Sequence, residues 1–443
     1  MTNLHQKLLK IAAPIIIQNL VLYLQIQIDM AMVGQANPLY LSAIANVLYP
    51  YNIVIAFLSS LSTGVTVITS HAIGGKSLRS ARRYSEVSFF FNLISALPFF
   101  LILFLFGNTL VTLMGATEQI SIYGTQFLET LSFSVIFLGV NLSITAILLG
   151  MGKTKHLMIA AIITTITNVF FDWTLIYGQL GFPELGIKGA GIATSAANFF
   201  GMVYLIIALV SSRKVLYKPT LKGILNPKWK IQKQNVLVGL PFGLEAMFWS
   251  LGQIIMVRMV NSVDELAAGL YVLITRIQSV TFFFYLGFAR ATMTLVGQEM
   301  GARNREGAVY VVYLSLKYAF VTCALASATF LIYPDEILYI FTSDEDLIRR
   351  AVPLLNIVSI TIFPVAVNVV AGNAIRGMKD TKWMFYTQSF GTIFVIAVSA
   401  VLLFVFDMGL KGVILTVLFD EFNRAFLNFW RFKSKATSPI KNS

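Results

Sequence analysis

Apolar runs of about twenty residues recur along the whole length of this 443-residue chain. A helix of about twenty residues spans the ~30 Å hydrocarbon core of a bilayer. Charged residues make up only 12% of the chain, about half the share in soluble domains, so too little polar surface is available for a soluble fold. These features predict an all-α integral membrane protein with twelve transmembrane helices.

The basic residues are concentrated in alternate loops, although the net charge of +13 by itself suggests a nucleic-acid partner. The termini, the long middle loop and every second short loop hold 24 Lys and Arg residues, whereas the other loops hold four. Cytoplasmic loops of membrane proteins are enriched in Lys and Arg. We therefore predict a multi-pass membrane protein with both termini and the long middle loop in the cytoplasm, and with the lipid bilayer, not nucleic acid, as its partner.

The chain contains an internal repeat with a constant offset of 227 residues. Chance matching would pair apolar residues, but it would not align glycines, prolines and charged loop residues in one register. Because each half has six helices, both halves enter the membrane in the same direction, which predicts a pseudo-twofold axis along the membrane normal. The aligned pairs include Pro14 with Pro241, Gly74 with Gly301, Ala81 with Ala308, Glu118 with Glu345, and Gly150-Met151 with Gly377-Met378.

The repeat and the loop composition divide the chain into two lobes and a connecting segment. Residues 1–211 form the predicted N-terminal lobe with helices 1–6, and residues 234–443 form the C-terminal lobe with helices 7–12 and a basic tail. Between them, residues 212–233 contain seven basic residues and two prolines. We interpret this segment as a cytoplasmic linker that lies on the anionic inner leaflet.

Two acidic residues of the first half lie deep in predicted membrane helices, where an ionisable side chain is costly and is therefore a functional candidate. Asp29 lies 19 residues after Lys10, and Asp172 lies 17 residues after Lys155. At about 1.5 Å per residue, both acids are about 25–29 Å from the cytoplasmic ends of their helices. They share a depth in the outer half of the membrane.

Polar residues accompany both acids. Gln18, Gln25 and Asp29 follow spacings of seven and four on helix 1, and Asn168 precedes Asp172 by four on helix 5, so each set occupies one helix face. If both faces line one cavity, the carboxyl groups form a buried pair that can take up and release a proton near neutral pH. The alternative interpretation is a structural hydrogen-bond cluster.

The second half lacks this acidic pair. At the 227-residue offset, Asp29 corresponds to Met256 and Asp172 corresponds to Ser399; if a four-residue slip in the alignment falls before helix 11, Asp172 corresponds to Val395 instead. A purely architectural role would be expected in both repeats, so the asymmetry favours a function confined to the first lobe.

Charged residues also occur in the predicted helices of the second half, where Glu245 and Arg276 lie deepest. Their opposite signs predict mutual neutralisation, with ion or substrate binding as the alternative, above all for Glu245. Asp420 and Arg424 are four residues apart, a spacing that permits an ion pair on one helix face.

Motifs for other chemistry are missing from the sequence. It contains no Walker A loop, no Asp-rich metal motif and no pair of His residues at metal-binding spacing. ATP-driven transport, a resident metal or organic cofactor, and a catalytic site are therefore not predicted. The remaining class is a carrier of small molecules.

Several segments resemble the multidrug and toxic compound extrusion (MATE) family and look closest to its DNA-damage-inducible F (DinF) branch. The resemblance covers nearly the whole chain. The segments are IDMAMVG at Ile28–Gly34, GMGKT at Gly150–Thr154, Asn168–Asp172, GIKGAGIAT at Gly186–Thr194, Gly239–Pro241 and IRGMKDTK at Ile375–Lys382.

The resemblance implies two six-helix lobes that form a V around a central cleft, and efflux of organic compounds coupled to inward movement of H⁺ or Na⁺. Asp29, Asn168 and Asp172 match positions that proton-coupled members use. Gln25 fits the same polar cluster. Pro14 matches a proline at which helix 1 bends on protonation in some members.

The chain departs from the Na⁺-linked members of that family, which carry acids on helices 7 and 10. Glu245 falls one turn before the first of these positions, Trp249 occupies it, and Val365 occupies the second. The difference favours H⁺ as the coupling ion, with a Na⁺ site at Asp29 and Asp172 as the alternative.

We therefore expect a monomeric, proton-coupled antiporter of a bacterial-type cytoplasmic membrane that exports amphipathic, often cationic, organic compounds and is not an enzyme. Na⁺-coupled multidrug efflux is the first alternative. The second alternative is a flippase for a lipid-linked precursor, which would need several cationic residues in a wide cleft, whereas the deep charges in this chain are few and of mixed sign.

Overall fold

The structure, a computed structural model, describes residues 2–213, 215–262 and 267–437. Two of the loop cations counted above, Lys214 and Lys441, lie outside the described residues. Within these ranges the chain is helical and contains no strand. The helices are α1 (Thr2–Ala36), α2 (Pro38–Gly74), α3 (Leu78–Leu105), α4 (Gly107–Leu113), α5 (Glu118–Gly150), α6 (Lys155–Ile176), α7 (Ile187–Ser211), α8 (Leu221–Ile224), α9 (Trp229–Asn261), α10 (Ala267–Gly301), α11 (Arg305–Ile332), α12 (Pro334–Tyr339), α13 (Glu345–Gly377), α14 (Thr381–Phe404) and α15 (Gly409–Thr437).

Twelve of the described helices are long, and they correspond one to one to the twelve predicted membrane helices; α4, α8 and α12 are short. Eleven of the long helices are apolar enough over 18 residues to cross a membrane. The exception is α15, whose middle turns carry Asp420, Glu421 and Arg424. These side chains form ion pairs with one another, so their charge is compensated inside the protein.

The internal repeat is visible in the helix boundaries. Helix α5 runs from Glu118 to Gly150, and α13 runs from Glu345 to Gly377, so both ends are displaced by the same 227 residues. The turns after α2 and α10 also match, since Lys76 and Arg303 both adopt a left-handed backbone, with φ of 57° and 60°. The repeat predicted from the sequence is therefore a repeat of structure.

The central helix of each repeat is the one that packs against the most neighbours. Helix α5 packs against α2, α3 and α7, and its counterpart α13 packs against α10, α11 and α15. The helix starts are set by local chemistry. Asn37 caps α2 by accepting a hydrogen bond from Leu39 N at 3.0 Å, and Pro38 occupies the first helical position, where no N–H is needed.

The chain forms two compact units, and each contains residues from both repeats. One unit is Ile17–Gly243, and the other is Met1–Ile16 together with Leu244–Ser443. The boundaries fall just after Pro14 in α1 and just after Pro241 in α9. The packing units therefore do not coincide with the lobes 1–211 and 234–443, because α1 and α9 each contribute residues to both units.

Helices α1 and α9 each make a close contact that is equivalent by the internal repeat: α9 contacts α2 in one unit, and α1 contacts α10 in the other. A Cβ atom on Gly239 of α9 would lie 2.1 Å from the carbonyl oxygen of Ser60 in α2. A Cβ atom on Gly287 of α10 would lie 2.3 Å from the side chain of Ile16 and 3.3 Å from the carbonyl oxygen of Ala12, both in α1. By the 227-residue offset, Gly239 corresponds to Ala12 and Gly287 corresponds to Ser60. The same helix–helix contact thus occurs twice, each time with glycine at the point of closest approach.

Candidate functional site

The polar faces predicted on membrane helices 1 and 5, which are α1 and α6 in the structure, meet within the unit Ile17–Gly243. Helix α1 contributes Gln25 and Asp29, and α6 contributes Asn168 and Asp172. Both pairs have a spacing of four residues, which places each pair on one face of its helix. Asn168 and Asp172 are 0% and 1% exposed, and Gln25 is also buried.

Gln25 joins the two helices through its side-chain amide. Its Nε2 donates a hydrogen bond to Asn168 Oδ1 at 2.5 Å, and its Oε1 accepts one from Thr165 Oγ1 at 3.0 Å. Both ends of the amide are therefore engaged by α6. This double contact fixes the rotation of α1 relative to α6 at the level of the acidic residues.

The carboxyl groups of Asp29 and Asp172 lie within interaction range of each other. Neither oxygen of Asp172 meets a donor in hydrogen-bond geometry, and the buried Oδ1 of Asp29 also lacks one. An ionised carboxylate can only accept hydrogen bonds, so a proton or a cation shared by the two carboxyl groups would lower the cost of holding their charges inside the protein. The buried Nδ2 of Asn168 is likewise without an acceptor.

The outer ends of the same two helices are joined by Tyr177, which follows the last residue of α6. Its hydroxyl donates to the carbonyl oxygen of Met32 in α1 at 2.6 Å. Burial raises the pKa of the Tyr177 hydroxyl, so this residue remains a neutral donor. Gln25 and Tyr177 therefore hold α1 against α6 on either side of the acidic pair.

Two kinds of ion fit this donor set. A proton can be shared between the carboxyl groups, and Na⁺ can be held by carboxylate oxygens, which are hard oxygen ligands. The amide oxygens of Gln25 and Asn168 are already engaged as acceptors. Within the described ranges, no group of three or more His, Cys, Asp or Glu side chains is arranged to hold a metal ion.

Pro14, the predicted bend in helix 1, lies inside one continuous helix. Helix α1 belongs to one compact unit up to Ile16, two residues after Pro14, and to the other compact unit from Ile17 onward. Proline removes one backbone hydrogen bond and clashes with the preceding turn, so it weakens the helix at this point.

The second unit contains a separate group of buried charges. Glu245 of α9 forms an ion pair with Arg376 of α13, with 2.5 Å between Oε1 and Nη2. Arg276, the residue grouped with Glu245 on sequence grounds, lies on an exposed face of α10. Arg376 is one of the 24 cations that the sequence assigns to cytoplasmic loops and termini, but it lies in the last turn of α13, where it is 7% exposed.

A polar network surrounds Arg424 of α15 in the same unit. Arg424 forms ion pairs with Asp420, at 2.7 Å, and with Glu421, and it donates to Gln388 Oε1 at 2.7 Å. Glu421 in turn accepts from Asn368 Nδ2 at 2.9 Å. The pairing of Asp420 with Arg424 follows from their spacing of four residues. The contact with Asp420 lacks the alignment of a hydrogen bond, so it is mainly electrostatic.

Some functional candidates could have been found from sequence and others could not. Thr165 lies three residues before Asn168 and seven before Asp172, so it belongs to the face already identified on α6. Glu245 and Arg376 are 131 residues apart on different helices. No local pattern connects them.

Comparisons with known proteins agree with this architecture. The sequence model of the MatE family matches residues 14–174 and 241–401, two segments whose starts and ends both differ by 227 residues. An uncharacterized transporter, YisQ, of Bacillus subtilis is 24% identical over 87% of this chain and 84% of its own length. A probable multidrug resistance protein, NorM, of Thermotoga maritima is 25% identical over 86% of this chain and 81% of its own length. The crystal structure of a MATE mutant superimposes with a TM-score of 0.92 at 19% identity, covering 98% of this chain and 96% of that one.

Proposed function

Because the chain belongs to the MatE family of membrane transporters, we propose that it is a proton-coupled antiporter that exports amphipathic, often cationic, organic compounds from the cytoplasm. The proposal includes Asp29 and Asp172 as the coupling residues and Asn168 and Gln25 as the residues that position them. Its place in the DinF branch stays a prediction.

One observation carries the choice of coupling site. The carboxyl group of Asp172 is almost fully buried, faces Asp29 and meets no hydrogen-bond donor. A buried carboxyl group that has no donor and lies beside a second carboxyl group is stable only when a cation or a proton neutralises part of the charge. An ion-coupled carrier needs a site that binds and releases such a cation or proton.

The charges in the unit that contains Leu244–Ser443 favour H⁺ over Na⁺ as the coupling ion. Na⁺-linked members of the family carry acids on membrane helices 7 and 10, which correspond to α9 and α13 in this chain. Glu245, the acid nearest to such a site, already faces the guanidinium group of Arg376 at 2.5 Å. Its Oε2 has no hydrogen-bond partner, but the adjacent guanidinium group compensates the carboxylate charge, so Na⁺ bound at Glu245 would have to compete with Arg376. Na⁺ at Asp29 and Asp172 is the alternative that the donor set still permits.

Proteoliposomes with imposed gradients test the proposal. Wild-type protein should accumulate a cationic dye when an H⁺ gradient is imposed and should not respond to a Na⁺ gradient alone. The Asp29→Asn variant should fold, insert and lose uphill transport, because an amide cannot exchange a proton near neutral pH. Glu118→Gln, an exposed carboxyl-to-amide change in the same unit, is the matched control and should transport normally. Wild-type uphill transport by Asp29→Asn, or transport driven by Na⁺ alone, would contradict H⁺ coupling at this site.

A further inference from the structure

The inner side of the linker between the two repeats is docked on helix α3. Glu86 Oε1 accepts hydrogen bonds from Thr220 N at 2.9 Å and from Thr220 Oγ1 at 2.8 Å. Tyr217 is buried, and its hydroxyl lies 2.7 Å from Ser85 Oγ. The linker is thus fixed to α3 by side chains that lie on two adjacent positions of that helix.

Further contacts hold the short helix α8 in the same place. Arg83 donates to the carbonyl oxygens of Gly223, at 2.9 Å, and Asn226, at 2.5 Å. A Cβ atom on Gly223 would lie 2.1 Å from the Glu86 carboxyl group, so only glycine permits this approach. Residues from Tyr217 to Asn226 are therefore held in place on α3.

The exposed side chains of residues 221–230, which we call the outer linker face, include both apolar and basic ones. Its apolar members are Leu221, Leu225 and Trp229, which are 71%, 65% and 65% exposed. The exposed Lys222, Lys228 and Lys230 lie between and beside them. The whole segment 212–233 contains seven basic residues and no acidic residue.

This composition matches the boundary between lipid headgroups and acyl chains. Leucine and tryptophan side chains insert a few ångströms into that boundary, and lysines beside them bind anionic headgroups. An aqueous surface would leave the three large apolar side chains in water, with no residue of the docked linker to cover them. A partner with anionic groups above an apolar layer accounts for both sets of side chains.

We propose that the outer linker face binds anionic phospholipids of the inner leaflet, with Lys222, Lys228 and Lys230 on the headgroup phosphates and Leu221, Leu225 and Trp229 in the boundary layer. The contact extends to α9, since Trp229 is its first residue and also packs against Phe91 of α3. Lipid would then hold the linker and the start of α9 at the membrane surface. This binding does not depend on which ion or compound is transported.

A single reporter position tests the binding directly. Leu221→Cys can be labelled selectively with a polarity-sensitive dye, because the native Cys323 is buried. In nanodiscs of phosphatidylcholine with increasing phosphatidylglycerol, the dye emission should shift to the blue and become quenchable by spin-labelled lipid. Adding Lys228→Gln and Lys230→Gln should raise the phosphatidylglycerol fraction at half-maximal response at least about fivefold.

The matched control removes two other exposed cations of the same unit, through Lys76→Gln and Arg79→Gln, and should leave the response unchanged. Thermal unfolding should show that all variants are folded. The proposal would be overturned if the dye emission were the same with and without phosphatidylglycerol. It would also be overturned if Lys76→Gln with Arg79→Gln changed the response as much as Lys228→Gln with Lys230→Gln. A response to soluble polyglutamate but not to phosphatidylglycerol would also overturn it and would assign the face to an acidic protein segment.

Discussion

Glu245 on α9 and Arg376 on α13 form an ion pair with 2.5 Å between Oε1 and Nη2, and both side chains are less than 15% exposed. At the 227-residue offset, their counterparts are Gln18 and Leu149, so the first repeat has no equivalent pair. Breaking a buried ion pair costs more than breaking an exposed one, because the remaining charge loses its compensation.

We therefore expect Glu245→Gln to lower the free energy of unfolding by about 3 kcal/mol. Arg376→Met in the same chain should recover part of that loss, because the guanidinium charge is then also removed. Denaturant unfolding in mixed micelles, arranged as a double-mutant cycle, measures the coupling. The exposed pair Asp346–Arg349 is the control, and Asp346→Asn should cost less than about 1 kcal/mol. Strictly additive effects of the Glu245 and Arg376 substitutions would show that the pair does not stabilise the unit.

The amide of Gln25 provides a second test, independent of transport. Gln25→Leu leaves Asn168 Oδ1 and Thr165 Oγ1 without their α1 partner, which should cost about 1–3 kcal/mol of unfolding free energy. Gln27→Leu, on the exposed face of the same helix, should have little effect or increase stability in a lipid environment. Equal unfolding temperatures for the two variants would mean that the bridge between α1 and α6 contributes nothing measurable.

Substrate affinity should depend on pH with a defined sign. Protonation of the Asp29–Asp172 pair removes negative charge, so the affinity for a cationic dye should fall as the pH decreases, by up to about tenfold per pH unit for one coupled proton. By linkage, dye binding must then release protons. Fluorescence polarisation at a series of pH values and a pH indicator in weak buffer measure the two effects.

Asp29→Asn should abolish the pH dependence of dye affinity and the release of protons together, whereas Glu118→Gln should preserve both. An affinity that is independent of pH in the wild type, with Na⁺ displacing the dye, would assign the coupling to Na⁺.

Topology is testable without a functional assay. The asymmetry of 24 against four loop cations predicts that both termini are cytoplasmic and that the loop containing Ala116, between α4 and α5, is external. Reporter fusions at the carboxyl terminus and at Ala116 should therefore report opposite sides. The same side for both would contradict the number of membrane crossings between them.

The helices and the acidic pair were accessible from sequence because both depend on regular spacing. Apolar runs predicted the twelve long helices. Similar distances from Lys10 and Lys155, of 19 and 17 residues, predicted a common depth for Asp29 and Asp172, and the structure brings their carboxyl groups together. Helix spacing also gave the pairing of Asp420 with Arg424.

Contacts between distant helices were not accessible, because spacing along one helix does not reveal which helix it faces. The sequence therefore grouped Glu245 with Arg276, whereas the structure pairs Glu245 with Arg376. Arg376 was counted with the loop cations because it stands beside Lys379 and Lys382. The docking of Glu86 on Thr220 was missed for the same reason.

The division of α1 and α9 between the two compact units has a consequence for how this gene could have evolved. Each unit contains the first part of a helix that belongs to the other repeat, up to Ile16 in one case and from Trp229 to Gly243 in the other. After duplication, a change on either of these half-helices had to suit side chains encoded in the opposite half of the gene. Neither half of the gene alone therefore encodes all the residues of one compact unit.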